Sequence, residues 1–443
     1  MLIEMKEILK NIAKGIGLFF ILILLYCLLL TFSYGLPNNK IRKNLIASVS
    51  TITDEGGFYF RPFFGENNVL SDSYTLDNYT DSIILATAFD KGENQGINIL
   101  DRVVSNYKYE NKEDKGPVVS LQESIDENNT TNSTYIRYWF GIEAFIRPLL
   151  LVCTYQMIRY MNVIFLIMLI TIACTLISKK LNTKYMFAFI MSLLLMGLLI
   201  VPMSLQYMPV MTIMLLTVIA LLLLSKSEKF DKILPFIFLI AGSTTAFMDL
   251  LTYPLVTLGI PLVITFLIKQ KKEEINVKNS ILLIIKLSVI WALAYGGTYF
   301  LKWVIASIIL KQNIIVESMN QFLMRADINS TEKFDKLKVI KLNFGVYFNK
   351  FVLILLAIYF IVWIILMFKH RNKNVKITQI LPFLIISILP YMWYIVLTNH
   401  SGIHYWMTYR IQAITMFSLI CASLKMLDFE EKVEGKAEEK TEK

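Results

Sequence analysis

The apolar residues of this chain are gathered into blocks of about twenty, each long enough as a helix to cross roughly 30 Å of hydrocarbon. The first block runs over 17–36. Others follow at 157–177, 185–203, 208–225, 233–250, 252–268, 280–303, 351–368, 380–398 and 411–427. Together they predict an all-α polytopic membrane protein with about ten transmembrane helices, because in lipid only a helix satisfies its own backbone polar groups within one segment. Pro202, Pro209, Pro254, Gly296, Gly297 and Pro390 interrupt several blocks, which is tolerable where neighbouring helices cover the freed groups. The chain is 56% hydrophobic and only 18% charged, well away from a soluble domain. That excludes a soluble enzyme, a secreted disulfide scaffold and a disordered tail. Cys27, Cys153, Cys174 and Cys421 lie in or beside apolar blocks without CxxC spacing and read as small buried hydrophobes.

The formal charge of +10 marks topology and not a nucleic-acid partner, since most lysines occupy short loops. One set of loops holds Lys6, Lys10 and Lys14; Lys179, Lys180 and Lys184; Lys226, Lys229 and Lys232; Lys269, Lys271, Lys272 and Lys278; and Lys369, Arg371, Lys373 and Lys376. The opposite set is 203–208, 249–254 and 399–410, where Arg410 is the one cation. This alternation predicts a multi-pass protein of the cell membrane with both termini cytoplasmic. The expected divisions are 1–36, the N-terminus and first span, and 37–156, an external loop with interfacial helices. They continue with 157–427, the multi-helix transmembrane domain with a second external loop near 311–350, and 428–443, a cytoplasmic tail. The first block is too long for a signal-peptide core and lacks a small-residue cleavage site, so it is read as a retained span.

Function must then come from polar residues at the external face. Asp77 and Asp81 precede an apolar run, and Thr80 or Asp81 is the expected helix cap. If the helix began earlier, both carboxylates would share one side, able to hold a divalent cation or to supply a general base. A capping aspartate with a solvated neighbour accounts for the same pattern. Asp54 and Glu55, before Gly56 and Gly57, form a second acidic candidate at a turn. Between the last two blocks His400 and His404 stand four apart, with Arg410 six residues on. In a helix the imidazoles share a face, and with the guanidinium they suit a phosphate. The alternative is an interfacial aromatic belt with incidental histidines.

Arg42, Arg61, Arg102, Arg137, Arg147, Arg159, Arg325 and Arg410 all fall on the external half, against Arg371 alone inside. Arginine is thus placed where a planar, bidentate cation differs from a point charge. Arg147, in an apolar aromatic stretch expected to lie along the interface, and Arg159 and Arg410 sit where a lipid-linked phosphate would arrive. Arg159 serves equally well as a snorkelling side chain. Asp249, at the external membrane face, is either functional or the cap of the helix resuming near Tyr253. Lys286 and Lys302 are expected to snorkel.

The segments LDNYTDS (76–82), YWFGIEAFIRPLLL (138–151), FMDLLTYPLVTLGIPL (247–262) and NHSGIHYWMTYR (399–410) together resemble those of a family of polytopic membrane proteins of Gram-positive bacteria. Its architecture looks like the GT-C class of integral membrane glycosyltransferases. The resemblance implies a large first external loop bearing a catalytic carboxylate and a polyprenyl-phosphate-linked sugar as donor. Asp77 would be the base or metal-binding carboxylate with Asp81 beside it, and the His400, His404 and Arg410 group would correspond to the donor-phosphate region, where Arg147 is expected from its own position at the membrane edge. In that class the key acid usually follows the first span closely, which keeps Asp54 and Glu55 open. The expected partners are the lipid-linked sugar and membrane lipids. Two other classes fit the same polar pattern: a transporter or flippase of a lipid-linked saccharide, and a non-catalytic membrane assembly protein.

Overall fold

The computed structural model describes residues 2–60, 73–126, 128–330 and 333–428. Arg61 and the tail beyond Asp428 lie outside them. The described chain is helical apart from one hairpin, in which Phe58–Phe60 pairs antiparallel with Thr75–Asp77, Phe58 opposite Asp77.

Among the described residues six helices are long and apolar enough to cross a membrane: Met5–Tyr34, Tyr155–Lys180, Phe230–Met248, Val277–Leu310, Lys350–His370 and Ile377–Val396. The other four apolar blocks form shorter helices, Thr183–Leu194, Met208–Leu224, Val256–Lys272 and Ala413–Lys425. The block at 185–203 shows why. Its helix ends before Gly197, which has φ +75° and turns the chain into a 3-10 turn at Val201–Met203 that contains Pro202. The Val256–Lys272 helix is buried along nearly its whole length, so its apolar residues form protein core.

Residues 37–153 build a small helical unit, with short helices such as Val49–Glu55 and Asn78–Ala88 packed about their own apolar core. The 34-residue helix Val277–Leu310 would measure about 51 Å, against a hydrocarbon thickness of about 30 Å. Its far end ties to this unit. Trp139 Nε1 donates to the Thr298 carbonyl at 2.8 Å, Lys302 Nζ to Val104 at 2.6 Å and Trp303 Nε1 to Arg137 at 3.0 Å. Lys302 therefore does not snorkel; it is buried against a carbonyl because the unit covers that end of the helix. Lys286 is exposed, as expected. Cys27, Cys153, Cys174 and Cys421 are free thiols, three of them buried.

Candidate functional site

The Asn78–Ala88 helix begins a turn earlier than its apolar run, and Asp77 is its cap: the Thr80 N–H donates to Oδ1 at 2.9 Å and its hydroxyl to Oδ2 at 3.3 Å. The expected cap at Thr80 or Asp81 is corrected. Asp77 ends a strand, and its carboxylate is the first acceptor to reach the free amide of Thr80. Asp81 is not a solvated neighbour. It is fully buried, and its oxygens accept from the Tyr155 hydroxyl at 2.6 Å, the Leu205 and Gln206 amides at 2.9 and 3.3 Å and the Ser204 hydroxyl at 3.2 Å. Burial pushes it up to about 6 against the pull of Tyr155 and Leu205. Four donors leave Asp81 no free face for chemistry. Among the described residues no three or more of His, Cys, Asp and Glu gather to hold a metal.

Glu55 ends the Val49–Glu55 helix and is forked by Arg159, Nη1 to Oε1 at 2.8 Å and Nη2 to Oε2 at 3.0 Å. The same Nη2 reaches Asn78 at 3.0 Å and the Tyr155 hydroxyl at 2.7 Å. These contacts close a network from Glu55 to Asp81 that pins the small helical unit to the Tyr155–Lys180 helix. Glu55 and Arg159 neutralise each other, and neither is free to act on a substrate. Arg159 is buried and does not snorkel. Asp54 is exposed at the helix end and takes no part in this network.

Arg147 is also corrected. The Glu143–Leu150 helix packs on the first long helix and carries Arg147 into the interior. Its guanidinium donates to the Ser33 carbonyl at 3.1 Å, the Ala88 carbonyl at 2.5 Å and Asn38 Oδ1, and lies 3.6 Å from Asp90. A guanidinium engaged through all three nitrogens holds protein together and offers no open fork to a lipid phosphate.

The histidine–arginine motif divides. Its helix breaks at His404, whose φ of −107° and ψ of 37° separate Thr398–Ile403 from Tyr405–Thr408 and the 3-10 turn Tyr409–Gln412. The His400 and His404 rings lie 4.8 Å apart, so they do meet. His400 Nε2 is 2.7 Å from the Leu251 carbonyl, and His404 Nε2 is 3.3 Å from Arg325 Nη1. Burial pushes both pKa values down, His404 to about 4 with Arg325 adding to it, and His400 well below its usual value with His404 and Arg325 adding. Both imidazoles are neutral at pH 7 and supply no positive charge to a phosphate.

Arg410 turns the other way and is fully buried, its guanidinium 4.2 Å over the Tyr207 ring and 4.9 Å over Tyr409. Nη1 donates to the Trp406 carbonyl at 2.7 Å, whereas Nε and Nη2 have no partner among the described residues. Tyr207 lies within electrostatic reach of Arg410, Asp77 and Asp81 together. The Gln206 amide and Trp406 indole face Asp77 but their N–H groups stop short of hydrogen bonds, and the Tyr207 hydroxyl faces the Arg410 guanidinium in the same way. Burial raises the Asp77 pKa, while Thr80, Gln206 and Trp406 hold it back. Asp77 and Arg410 thus both lie within electrostatic reach of Tyr207; Glu55, Arg147, Arg159 and the two histidines are taken up by other partners, and Asp54 is exposed. Gln206, Tyr207 and Trp406 escaped the sequence reading. The one signal for the first two was a glutamine inside an otherwise uncharged connection, and Trp406 resembled a belt residue.

Asp249 caps the turn after Phe230–Met248: Thr252 N lies 3.0 Å from Oδ1 and 3.1 Å from Oδ2, and the Thr252 hydroxyl donates at 2.5 Å. Burial pushes it up to about 7 against these donors. Of its two readings, the geometry supports the cap. No protein-family model, no curated protein and no solved structure matches this chain.

Proposed function

We propose that the protein is a multi-pass membrane glycosyltransferase of GT-C type, with about ten spans and both termini cytoplasmic, that moves a sugar from a polyprenyl phosphate to an extracytoplasmic acceptor. The observation that carries this reading is the buried Arg410, with two unpartnered guanidinium nitrogens, grouped around Tyr207 with the buried carboxylate of Asp77. A buried cation with free donors is costly without an anion, and a phosphate oxygen would satisfy Nε and Nη2 as a fork. Tyr207, Gln206 and Trp406 would add neutral donors. In the transfer, the acceptor oxygen attacks the anomeric carbon and its proton passes to Asp77. The bond from that carbon to the phosphate oxygen breaks, and the electron pair stays on the lipid phosphate opposite Arg410.

Turnover of purified protein on labelled polyprenyl-phosphate sugars tests this. Asp77→Asn should lower turnover by about a hundredfold or more, the usual worth of a positioned base. Arg410→Lys should lose the fork and weaken donor binding. Because burial lifts the Asp77 pKa, the rate should fall with acid at a higher pH than for an exposed carboxylate. Full turnover by Asp77→Asn would remove Asp77 as base; counterflow of an intact lipid-linked sugar without transfer would make the protein a flippase.

A further inference from the structure

A second feature lies on the other side of the histidine pair. One face of Val277–Leu310 carries Trp291, Tyr295, Tyr299 and Trp303 at intervals of four, a ladder down the helix. The ladder forms one wall of a groove of about 420 Å³, closed by the Ile314–Arg325 helix and by Trp393 and Leu397. Its rim includes Phe300, Met319 and Phe322, which are all exposed. Phe300 lies on a helix long enough to cross a membrane, and Met319 and Phe322 on the shorter Ile314–Arg325 helix beside it, so the lips of the groove suit a hydrocarbon chain better than water.

Two guanidiniums, Arg137 and Arg325, stand in this apolar wall, both beside Tyr138. Neither forms an ion pair among the described residues, and no Asp or Glu lines the groove. Arg325 meets the neutral His404 imidazole at 3.3 Å. Arg137 stacks on Tyr135 at 4.4 Å, which orients its fork without neutralising it. An apolar trough with two uncompensated planar cations complements a ligand with a hydrocarbon chain and an anionic, phosphate-sized head.

We propose that this groove binds one anionic phospholipid of the surrounding bilayer, its phosphate between Arg137 and Arg325 and one acyl chain along the Trp291–Tyr295–Tyr299 ladder. The site is separate from Asp77 and Arg410 and does not depend on the reaction assigned to them. It gives the junction between the helical unit and the Ile314–Arg325 helix a lipid as part of its packing.

Three of the six tryptophans, Trp291, Trp303 and Trp393, line the groove, so bromine-labelled lipid reports on it directly. Detergent-solubilised full-length protein is titrated with dibrominated phosphatidylglycerol and, separately, dibrominated phosphatidylcholine. The expected result is saturable quenching by the anionic lipid at one molecule per chain, and weaker binding of the zwitterionic one. The double variant Arg137→Gln, Arg325→Gln should weaken the anionic lipid by about tenfold or more, the loss of charge-assisted hydrogen bonds to phosphate. The head-group comparison on wild-type protein needs no variant. Quenching that fails to saturate, or equal binding of both lipids, would overturn the proposal. So would displacement of the brominated lipid by polyprenyl phosphate but not by unlabelled phosphatidylglycerol, which would make the groove part of a donor site.

Discussion

Glu143 carries its carboxyl into the interior with neither oxygen hydrogen-bonded, and burial pushes it up to about 8 although Arg147 pulls the other way. The folded protein therefore keeps this proton across a range in which the unfolded chain, titrating near 4.5, has released it. More protons bound in the folded state means that stability falls as pH rises through that window and levels off above about 8. Glu143→Gln keeps the shape and removes the titration. The melting temperature of the purified variant should match wild type near the acid end and exceed it at the alkaline end, the underlying gap in unfolding free energy widening by about 1.4 kcal/mol per pH unit across the window. Parallel melting curves at both ends would show that Glu143 is ionised in the fold. Residues of this kind explain why the acidic candidates could not be sorted from sequence. Asp77, Asp81, Glu55 and Asp249 share one chemistry, and only their neighbours separate a cap, a fourfold acceptor, an arginine partner and a second cap.

Between elements, Phe230–Met248 packs extensively along Val277–Leu310. A Cβ on Gly242 would collide with the Trp291 backbone carbonyl, so glycine there lets the two backbones meet, as small residues do between membrane helices. Gly296, a few residues along the second helix, faces open space in the lipid groove. The two positions make opposite predictions. Gly242→Ala should destabilise the protein by about 1–3 kcal/mol through overpacking and displace Trp291 from the groove wall. Gly296→Ala should be neutral or stabilise by up to about 1 kcal/mol through helix propensity. Thermal melts of the two purified variants check this, and an equal loss in both would discount backbone contact as the cause. The sequence marks Gly296 and Gly297 as interruptions of an apolar block but says nothing of which glycine bears a neighbour, because that depends on the crossing of a helix nearly fifty residues away.

For the whole molecule, the proposed orientation rests on lysine asymmetry. The six helices that meet the length and composition for spanning, or the ten blocks of the pattern, are both even in number. On either count the termini are expected to share a side; on the ten-block count the unit at 37–153 lies opposite the lysine-rich loops. Single cysteines placed at exposed Glu113 and exposed Glu228 test the arrangement. A membrane-impermeant maleimide should label Glu113→Cys in intact cells and Glu228→Cys only after permeabilisation. The reverse pattern would invert the protein and bring the Asp77 group to the cytoplasm.

From sequence alone come the helical class, the apolar blocks and the free cysteines. These follow from local rules: block length against bilayer thickness, period along a helix, and charge at loop ends. Tertiary structure decided that Arg147 and Arg159 are spent on protein partners, that His400 is buried and His404 half-buried with both neutral, and that Gln206 and Trp406 face Asp77 while Tyr207 lies within reach of Asp77 and Arg410. It also made a groove from helices far apart in the chain. A carboxylate or a guanidinium carries the same formal charge everywhere; which partner it finds, and how much water it loses, is set by segments the chain brings together only when it folds.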